Sequence, residues 1–229
     1  MRAPAASPRM LPKSLPPAST GPAHSFGTHV RAAGLFLIIS LLLSGFAYPI
    51  FVTEVAHVID PSAAGGSLVR YPNGTVAGSE YIAQNLTNQS QPWLFWARPS
   101  LTDYNTTLGA DTPPGPTDPA LQALLNETIS YMRLYGNFTV NATLPFWLVT
   151  PSASSVDPDL VPQAVLVQIP RVANNTNLST LGITTLDGRI DFLRGFVNAH
   201  TTEPILPYLG VPYVNVLELD LALLPIIGK

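Results

Sequence analysis

Residues 32–53 read AAGLFLIISLLLSGFAYPIFVT, bracketed by Arg31 and Glu54 and uncharged between them. Coiled as an α-helix, these 22 residues would rise roughly 33 Å at about 1.5 Å each, close to the ~30 Å of a bilayer core. An uncharged, mostly apolar run of this length is the pattern of a membrane span rather than of a buried core helix. Tyr48 stands near one end, where an amphipathic ring suits the headgroup level. Pro49 falls in the last turn and is tolerable there if the freed backbone groups find partners. A cleaved secretory signal is the competing reading, with residues 35–43 as its apolar core and Gly45-x-Ala47 as its cleavage site. The 31 residues before the run are long for a signal, and apolar character continues through Ile50, Phe51 and Val52. The sequence therefore favours an uncleaved anchor.

Charge gives the span a direction. Arg2, Arg9, Lys13 and Arg31 precede it without a single acid, and Glu54 and Asp60 are the first charges after it. The positive-inside tendency places the N-terminus in the cytoplasm and everything after Thr53 outside the cell membrane. Nine Asn-x-Ser/Thr sequons agree, at Asn73, Asn85, Asn88, Asn105, Asn126, Asn137, Asn141, Asn174 and Asn177, all beyond the span. Such triplets accept glycans only on exported chain, although an Asn- and Thr-rich sequence makes some by chance.

The expected organisation is a disordered cytoplasmic tail (residues 1–29), a transmembrane helix (30–53), a stalk (54–66) and an extracytoplasmic domain (67–229) of mixed α/β class. The tail holds six Pro and no apolar period, so His24 and His29 are read as solvated. The outer part is large enough for one domain with its own core. Cysteine is absent, which excludes disulfide frameworks, thiolate metal sites and cysteine nucleophiles. Beyond Thr53 all 14 acids stand against six Arg and one Lys, a balance of −7. That excludes the basic stripe a nucleic-acid partner requires.

Local signals assign elements along the outer chain. Residues 68–71 and Val76 flank Pro72-Asn73-Gly74, a hairpin with an Asn-Gly turn. Residues 81–86 and 93–97 are short strands or ordered loop, and residues 99–119 a long irregular loop. Asp118 caps a helix opened by Pro119, carried by Leu121, Leu124, Leu125, Ile129 and Met132 and closed at Gly136. Residues 146–150 are expected as a strand. Pro162 opens a second helix that Pro170 kinks or ends, and residues 186–197 form a third with Leu186, Ile190, Leu193 and Val197 on one face. In residues 213–224, alternating Leu217, Leu219, Leu221 and Leu223 suggest a strand, whereas Asn215 with Glu218 forms a capping box. A strand turning into a helix is expected.

Catalytic chemistry is hard to assemble. Ser152, Ser154, Ser155 and Asp157 cluster, but His200 is the only His deep in the outer part and no Gly-x-Ser-x-Gly elbow exists. A Ser- or Asx-type turn is the simpler role for residues 154–158. Asp157 and Asp159 are too few for calcium, and Asp157 is expected to cap the following helix. No phosphate-cradling glycine loop is present. Trp93, Phe95 and Trp96 could line a sugar or partner surface, but core packing is the common fate of such clusters.

Ordered blocks along the chain carry a resemblance. They include Gly45-Phe46-Ala47-Tyr48-Pro49, Gly66-Ser67-Leu68-Val69, and Ile82-Ala83-Gln84-Asn85-Leu86. Phe95-Trp96-Ala97-Arg98-Pro99-Ser100 and Gly115-Pro116-Thr117-Asp118-Pro119 follow. Then come Leu148-Val149-Thr150-Pro151-Ser152-Ala153-Ser154, Gln168-Ile169-Pro170-Arg171-Val172-Ala173, and Val214-Asn215-Val216-Leu217-Glu218-Leu219-Asp220. Together, in this order and spacing, they resemble the C subunit (KdpC family) of the Kdp potassium-transporting P-type ATPase. The family usually has Gly at the positions of Ser155 and Ala97 and Asn at that of Asp220, and its N-terminus is shorter.

The resemblance implies an accessory subunit of an ATP-driven, high-affinity potassium importer, without catalysis of its own. The implied partners are a channel-like potassium-translocating subunit, a P-type ATPase subunit, a small single-span subunit and membrane lipid. It further implies a catalytic chaperone that raises the ATP affinity of the ATPase subunit, with ATP and K⁺ acting on the complex and no cofactor or metal assigned to this chain. The chain has no DKTG phosphorylation motif, in keeping with that division of labour. Gly45, with Gly34, Ser40 and Ser44, is small enough for close helix packing in the membrane. Gln84, Arg98, Gln168 and Arg171 are the candidates for docking or for fixing the domain's shape. The second reading is a membrane-anchored extracellular solute- or glycan-binding module using Trp93 and Trp96.

Overall fold

A computed structural model describes residues 25–85, 91–108, 114–138, 142–206 and 208–228. Most of the expected tail, Leu86, and the sequons at Asn88 and Asn141 lie outside the described residues. The chain divides into two units, residues 1–58 and 59–229.

The described residues of the first unit lie almost wholly in one helix, Phe26–Ile59, of 34 residues, long and apolar enough to cross a membrane. It comprises α1 (Phe26–Leu42), a π-helical turn (Leu43–Ala47) and α2 (Tyr48–Ile59). The wide turn has a local cause. Pro49 donates no N–H, and in a regular α-helix its ring would press on the carbonyl four residues back, at Gly45. Widening the turn just before it, with the Tyr48 N–H bonded to Leu43 O, makes room for that ring. The helix is longer than the apolar run. It takes in residues 26–29, expected as tail, and residues 54–59, expected as stalk. At about 1.5 Å per residue it rises roughly 51 Å, more than the ~30 Å of a hydrocarbon layer.

The second unit is a mixed helix-and-strand domain. A single turn, α3 (Pro61–Ala64), is capped by Asp60, whose carboxylate accepts the Ala63 N–H at 3.0 Å. The hairpin follows as expected: β1 (Leu68–Arg70) pairs antiparallel with β2 (Val76–Ser79), with a register shift at Val69/Arg70. Its turn is closed by Gly74 N–H donating to Tyr71 O, with Gly74 at φ +83°, a conformation glycine adopts without strain. Residues 91–97 are ordered but form no strand. Among its described residues the loop that follows contains one 3₁₀ turn, Thr106–Leu108, and is tied back by Tyr104, whose hydroxyl donates to Arg98 O at 2.6 Å.

The long helix is α4 (Pro119–Tyr135), with Asp118 accepting the Ala120 N–H and Gly136 at its end, as the sequence indicated. Residues 146–150 are a correction: Phe146–Val149 is a one-turn helix, α5, not a strand. Four apolar residues carry no period that separates the two. Here the turn buries Leu148 and Val149 and leaves Phe146 outside. Two residues, β3 (Asp159–Leu160), then lead into α6 (Pro162–Leu166) and α7 (Ile169–Asn175). Pro170 sits in the first turn of α7, where its missing N–H costs nothing, so the break falls at Val167 and Gln168. α8 (Leu186–Ala199) is capped by Thr185, and Leu193 and Val197 are the buried part of its apolar face. At the end β4 (Val214–Asn215) pairs with β3, and Asn215 accepts the Glu218 N–H at 3.1 Å to start α9 (Val216–Leu223). The strand-then-helix expectation is what the structure shows.

The core is helical. Val165, Ile169, Val172, Leu193, Val197, Leu219 and Leu223 meet around Phe95 and Trp96. Asp157 corrects another expectation. Its carboxylate accepts the Asp159 N–H at 3.0 Å in an Asx turn and caps no helix, since α6 begins later, at Pro162. The rest of residues 152–157 is the hydroxyl-stitched turn expected, with Ser152 accepting from Asp157 N–H and Ser154 from Val156 N–H. Ser155 lies within it at φ +60°, 1% exposed, its hydroxyl without a hydrogen-bond partner among the described residues. A left-handed backbone costs a non-glycine residue about 1–2 kcal/mol. Ser155→Gly, the residue the family resemblance leads one to expect there, should stabilise the domain by about 1 kcal/mol. Urea unfolding of wild type and variant measures this, and an unchanged or lowered midpoint contradicts it.

Candidate functional site

The buried polar side chains form a fastening system. Residues 93–97 run through the core without a partner strand, so their peptide groups need other partners. Gln168, fully buried at the α6–α7 break, supplies them for Trp96. Its Oε1 accepts the Trp96 N–H at 2.8 Å, and its Nε2 donates to Trp96 O and to Ala164 O, each at 3.1 Å. Asp220 on α9 accepts the Phe95 N–H at 2.9 Å. Arg171 completes the set. Its Nη1 donates to Pro92 O at 2.7 Å, its Nη2 to Gln168 Oε1 at 2.8 Å, and its guanidinium lies 4.1 Å from the centre of the Trp96 ring. Burial pulls the Arg171 pKa down to about 10, opposed by Asp220. Burial holds the Asp220 carboxyl well above the usual carboxylate range.

Arg98 makes a second fastening. Its Nη2 donates to Pro151 O at 2.9 Å and its Nε to Thr150 O at 3.3 Å, and its Nη1 lies 3.4 Å from Asp157 Oδ2. Its guanidinium also stacks on Trp147 at 4.7 Å. It therefore joins the segment after Trp96 to the turn after α5. Gln84 donates to Ile82 O at 3.3 Å and fills the space beside Gly78, where a β-carbon would stand 2.5 Å from its Nε2. Gly45 is exposed on the π-turn, with nothing packed against it among the described residues. Arg98, Gln168 and Arg171 thus act inside the domain. Trp96, at 1% exposure, is core and cannot line a ligand surface.

Two surfaces stand out among the described residues. A cleft of about 440 Å³ is lined by Glu80, Asp157, Asp159, His200, Tyr213 and Glu218, among others. No sequence signal announced it, because its walls come from β2, the β3–β4 pair, α9 and the end of α8. Burial first, then Asp157 and Glu218, pushes the Asp159 carboxyl up to about 6. His200 Nδ1 is engaged by Phe196 O at 2.8 Å, and no hydrogen bond joins His200 to a serine among the described residues. The carboxylates and histidine form no cluster able to hold a metal ion among the described residues.

The other surface is apolar. Thr202 and Tyr213 pair through two backbone hydrogen bonds, of 2.8 and 3.0 Å, and Leu209 N–H donates to Leu206 O at 2.9 Å. This projecting loop leaves Ile205 100%, Tyr208 79% and Leu209 64% exposed. Val211 at its base shares a groove with Pro145, Phe146 and Trp147. Residues 204–217 carry no charge. No sequence signal assigns an element to residues 198–212, and this exposed apolar loop is a finding of the structure.

Comparison with known proteins gives a consistent match. The family model described as the c chain of the K⁺-transporting ATPase matches residues 30–224. The potassium-transporting ATPase KdpC subunit of Geobacter sulfurreducens is 37% identical over 197 residues, covering 85% of this chain and 96% of that protein. The KdpC subunit of Methanosphaerula palustris is 38% identical over 194 residues, covering 85% of this chain and 95% of its own. That of Variovorax paradoxus is 40% identical over 199 residues, covering 85% and 94%.

The two raised carboxyls fix a pH dependence. Below about pH 4 both are neutral whether the chain is folded or not, and neither affects stability. As pH rises, the unfolded chain ionises first, so stability falls until the folded carboxyl ionises too, at about 6 for Asp159. For Asp220 the fall has the same direction, because full burial raises its pKa well above the usual carboxylate range. Asp159→Asn and Asp220→Asn should therefore each raise the melting temperature by an amount that is small near pH 4 and grows toward neutrality. Gains that shrink with rising pH would contradict this.

Proposed function

The chain belongs to the KdpC family, the c chain of the K⁺-transporting ATPase, and on that premise we propose that it holds the assembled pump together from outside the membrane. As a member of the family it is a membrane-associated subunit of that transport complex. The match over residues 30–224, apolar helix and folded domain together, is the observation that carries the reading.

In the proposed arrangement α1 and α2 cross the membrane once, with the N-terminus in the cytoplasm and the domain outside. Charge supports this direction: every Lys and Arg before residue 32 lies on one side, and all 14 acids lie on the other. The span packs on the channel-like subunit through its small-residue face. Gly45 suits that role, being exposed within the π-turn. The domain docks over the external mouth of the same subunit, and the ATPase subunit and the small single-span subunit complete the assembly. The docking face we assign is the loop around Ile205, Tyr208 and Leu209 with Phe146 and Trp147. It is uncharged and apolar, so it suits a neutral protein surface, whereas an anionic lipid surface would be repelled by a domain of net −7.

The domain's acids would concentrate K⁺ modestly at the mouth, an effect screened beyond ~8 Å at physiological salt. Docking matters more than charge. Neither ATP nor a phosphorylated aspartate belongs to this chain in the proposal. With the domain outside, an effect on ATP affinity in the ATPase subunit travels as coupling through the assembly. A glycan-binding anchor, the second reading, loses its main support because Trp96 is buried.

Co-purification of the remaining subunits, with K⁺-stimulated ATPase activity measured with and without this chain, tests the proposal. The subunits should lose assembly and activity without it. Gly45→Leu and Tyr208→Asp should each reduce co-purification at least several-fold while leaving the domain's melting temperature unchanged. Normal assembly and pumping without the chain would overturn the reading.

A further inference from the structure

Twelve asparagines follow the span, and nine of them begin an Asn-x-Ser/Thr triplet. Ser and Thr make up 27 of the 176 residues after Thr53. Asparagines placed without regard to that motif would then form about two triplets, not nine. A Thr-rich composition therefore does not account for them. The structure adds an independent fact. All seven that it describes, at Asn73, Asn85, Asn105, Asn126, Asn137, Asn174 and Asn177, are exposed.

Three of the seven stand in loops that hold the amide in one pose. Asn73, in the β1–β2 turn, accepts at Oδ1 from the Thr75 N–H at 3.0 Å and from Thr75 Oγ1 at 2.7 Å. Asn105 repeats the arrangement with Thr107, at 2.9 and 2.7 Å. Asn177 accepts the Ser179 N–H at 3.0 Å. In each, the oxygen is turned inward to the residue two positions on. The nitrogen Nδ2 has no hydrogen-bond partner among the described residues. Asn126 and Asn174 lie on α4 and α7, where the helix holds the triplet in another shape.

We propose that Asn73, Asn105 and Asn177 are N-glycosylated. The co-reactant is an oligosaccharide linked through phosphate to a polyprenyl lipid, presented on the outer side of the membrane to a glycosyl-transferring enzyme. Asn Nδ2 attacks the anomeric carbon. The bond from that carbon to the phosphate oxygen breaks, the phosphate leaves with the electron pair, and Nδ2 gives up one proton as the C–N bond forms. The inference rests on the outside placement of the domain given above. It also gives the exterior a means of hydration beyond its few charges: 14 acids, six Arg and one Lys serve all 176 residues. The three positions lie away from Tyr208 and Trp147 in sequence, and none belongs to the apolar loop assigned to docking.

The full chain, purified with its complex from the membranes of the cells that make it, carries the test. Intact-mass and peptide mass spectrometry should show a mass above the 24.5 kDa polypeptide, with hexose or aminosugar additions on the peptides containing Asn73, Asn105 and Asn177. Thr75→Ala should remove one glycan and Thr75→Ser should keep it, which a merely structural role for Thr75 would not produce. Finding all three peptides only unmodified would overturn the proposal. A parallel labelling of Glu203→Cys, in a chain that has no other cysteine, with a membrane-impermeant maleimide separates the two readings. Labelling of intact cells without glycan overturns glycosylation and leaves the topology standing. No labelling until the cells are opened, again without glycan, overturns both.

Discussion

The fold depends on satisfying the peptide groups of Phe95 and Trp96. These two residues are 0% and 1% exposed, and they fill the centre of the helical core. A buried extended segment ordinarily finds its hydrogen bonds in a neighbouring strand. Here the neighbours are helices, whose own backbone groups are already used. Gln168 takes the place of a strand, because a carboxamide has the same donor and acceptor as a peptide. It pairs with both the N–H and the C=O of Trp96. Asp220 receives the Phe95 N–H from α9. Leaving a single buried backbone group unpaired costs about 1–3 kcal/mol, so the two side chains together outweigh any one packing contact in the core.

That constraint explains the local backbone. Gln168 reaches Trp96 because α6 and α7 break at Val167 and Gln168, and Pro170 starts the second helix in a position where its missing N–H is harmless. Arg171, one turn into α7, then anchors Gln168 Oε1 and covers the Trp96 ring. Asp220 stands where the family resemblance leads one to expect Asn. A neutral carboxyl and a carboxamide have similar shape and an acceptor oxygen in common, and burial keeps this carboxyl protonated well past the ordinary range. The substitution therefore preserves the hydrogen bond and adds a sensitivity to pH.

How much of this was legible depended on range. Local chemistry was readable: Asp118 and Pro119 opening α4, Asn215 with Glu218 opening α9, and the Asn-Gly turn between β1 and β2 each act within four residues. Phe146–Val149 was not, since a four-residue apolar run fits a helix or a strand until its burial partners are known. Asp157 looked like a helix cap because Pro162 follows, but its carboxylate is drawn to the nearer Asp159 N–H and to Arg98. Gln168, Arg98 and Arg171 were visible as polar residues in ordered blocks, but not as partners of Trp96, Pro151 and Pro92, which lie between 53 and 79 residues away. The acidic cleft was hidden for the same reason. With Gln168, Arg98 and Arg171 engaged in holding the domain's shape, the surface features that stand out for other molecules are the cleft, the apolar loop and the exposed asparagines.

Amide hydrogen exchange at Phe95 and Trp96, in the full chain in detergent, tests the central claim most directly. If side chains replace a partner strand, these two amides should exchange only through global unfolding and be as protected as those of Leu193 and Val197 in α8. In Gln168→Leu, the Trp96 amide should exchange at least ~10-fold faster than in wild type, because a lost bond of about 1.4 kcal/mol opens the segment locally. Exchange of the wild-type Phe95 and Trp96 amides at the rate of exposed loop amides would contradict the account.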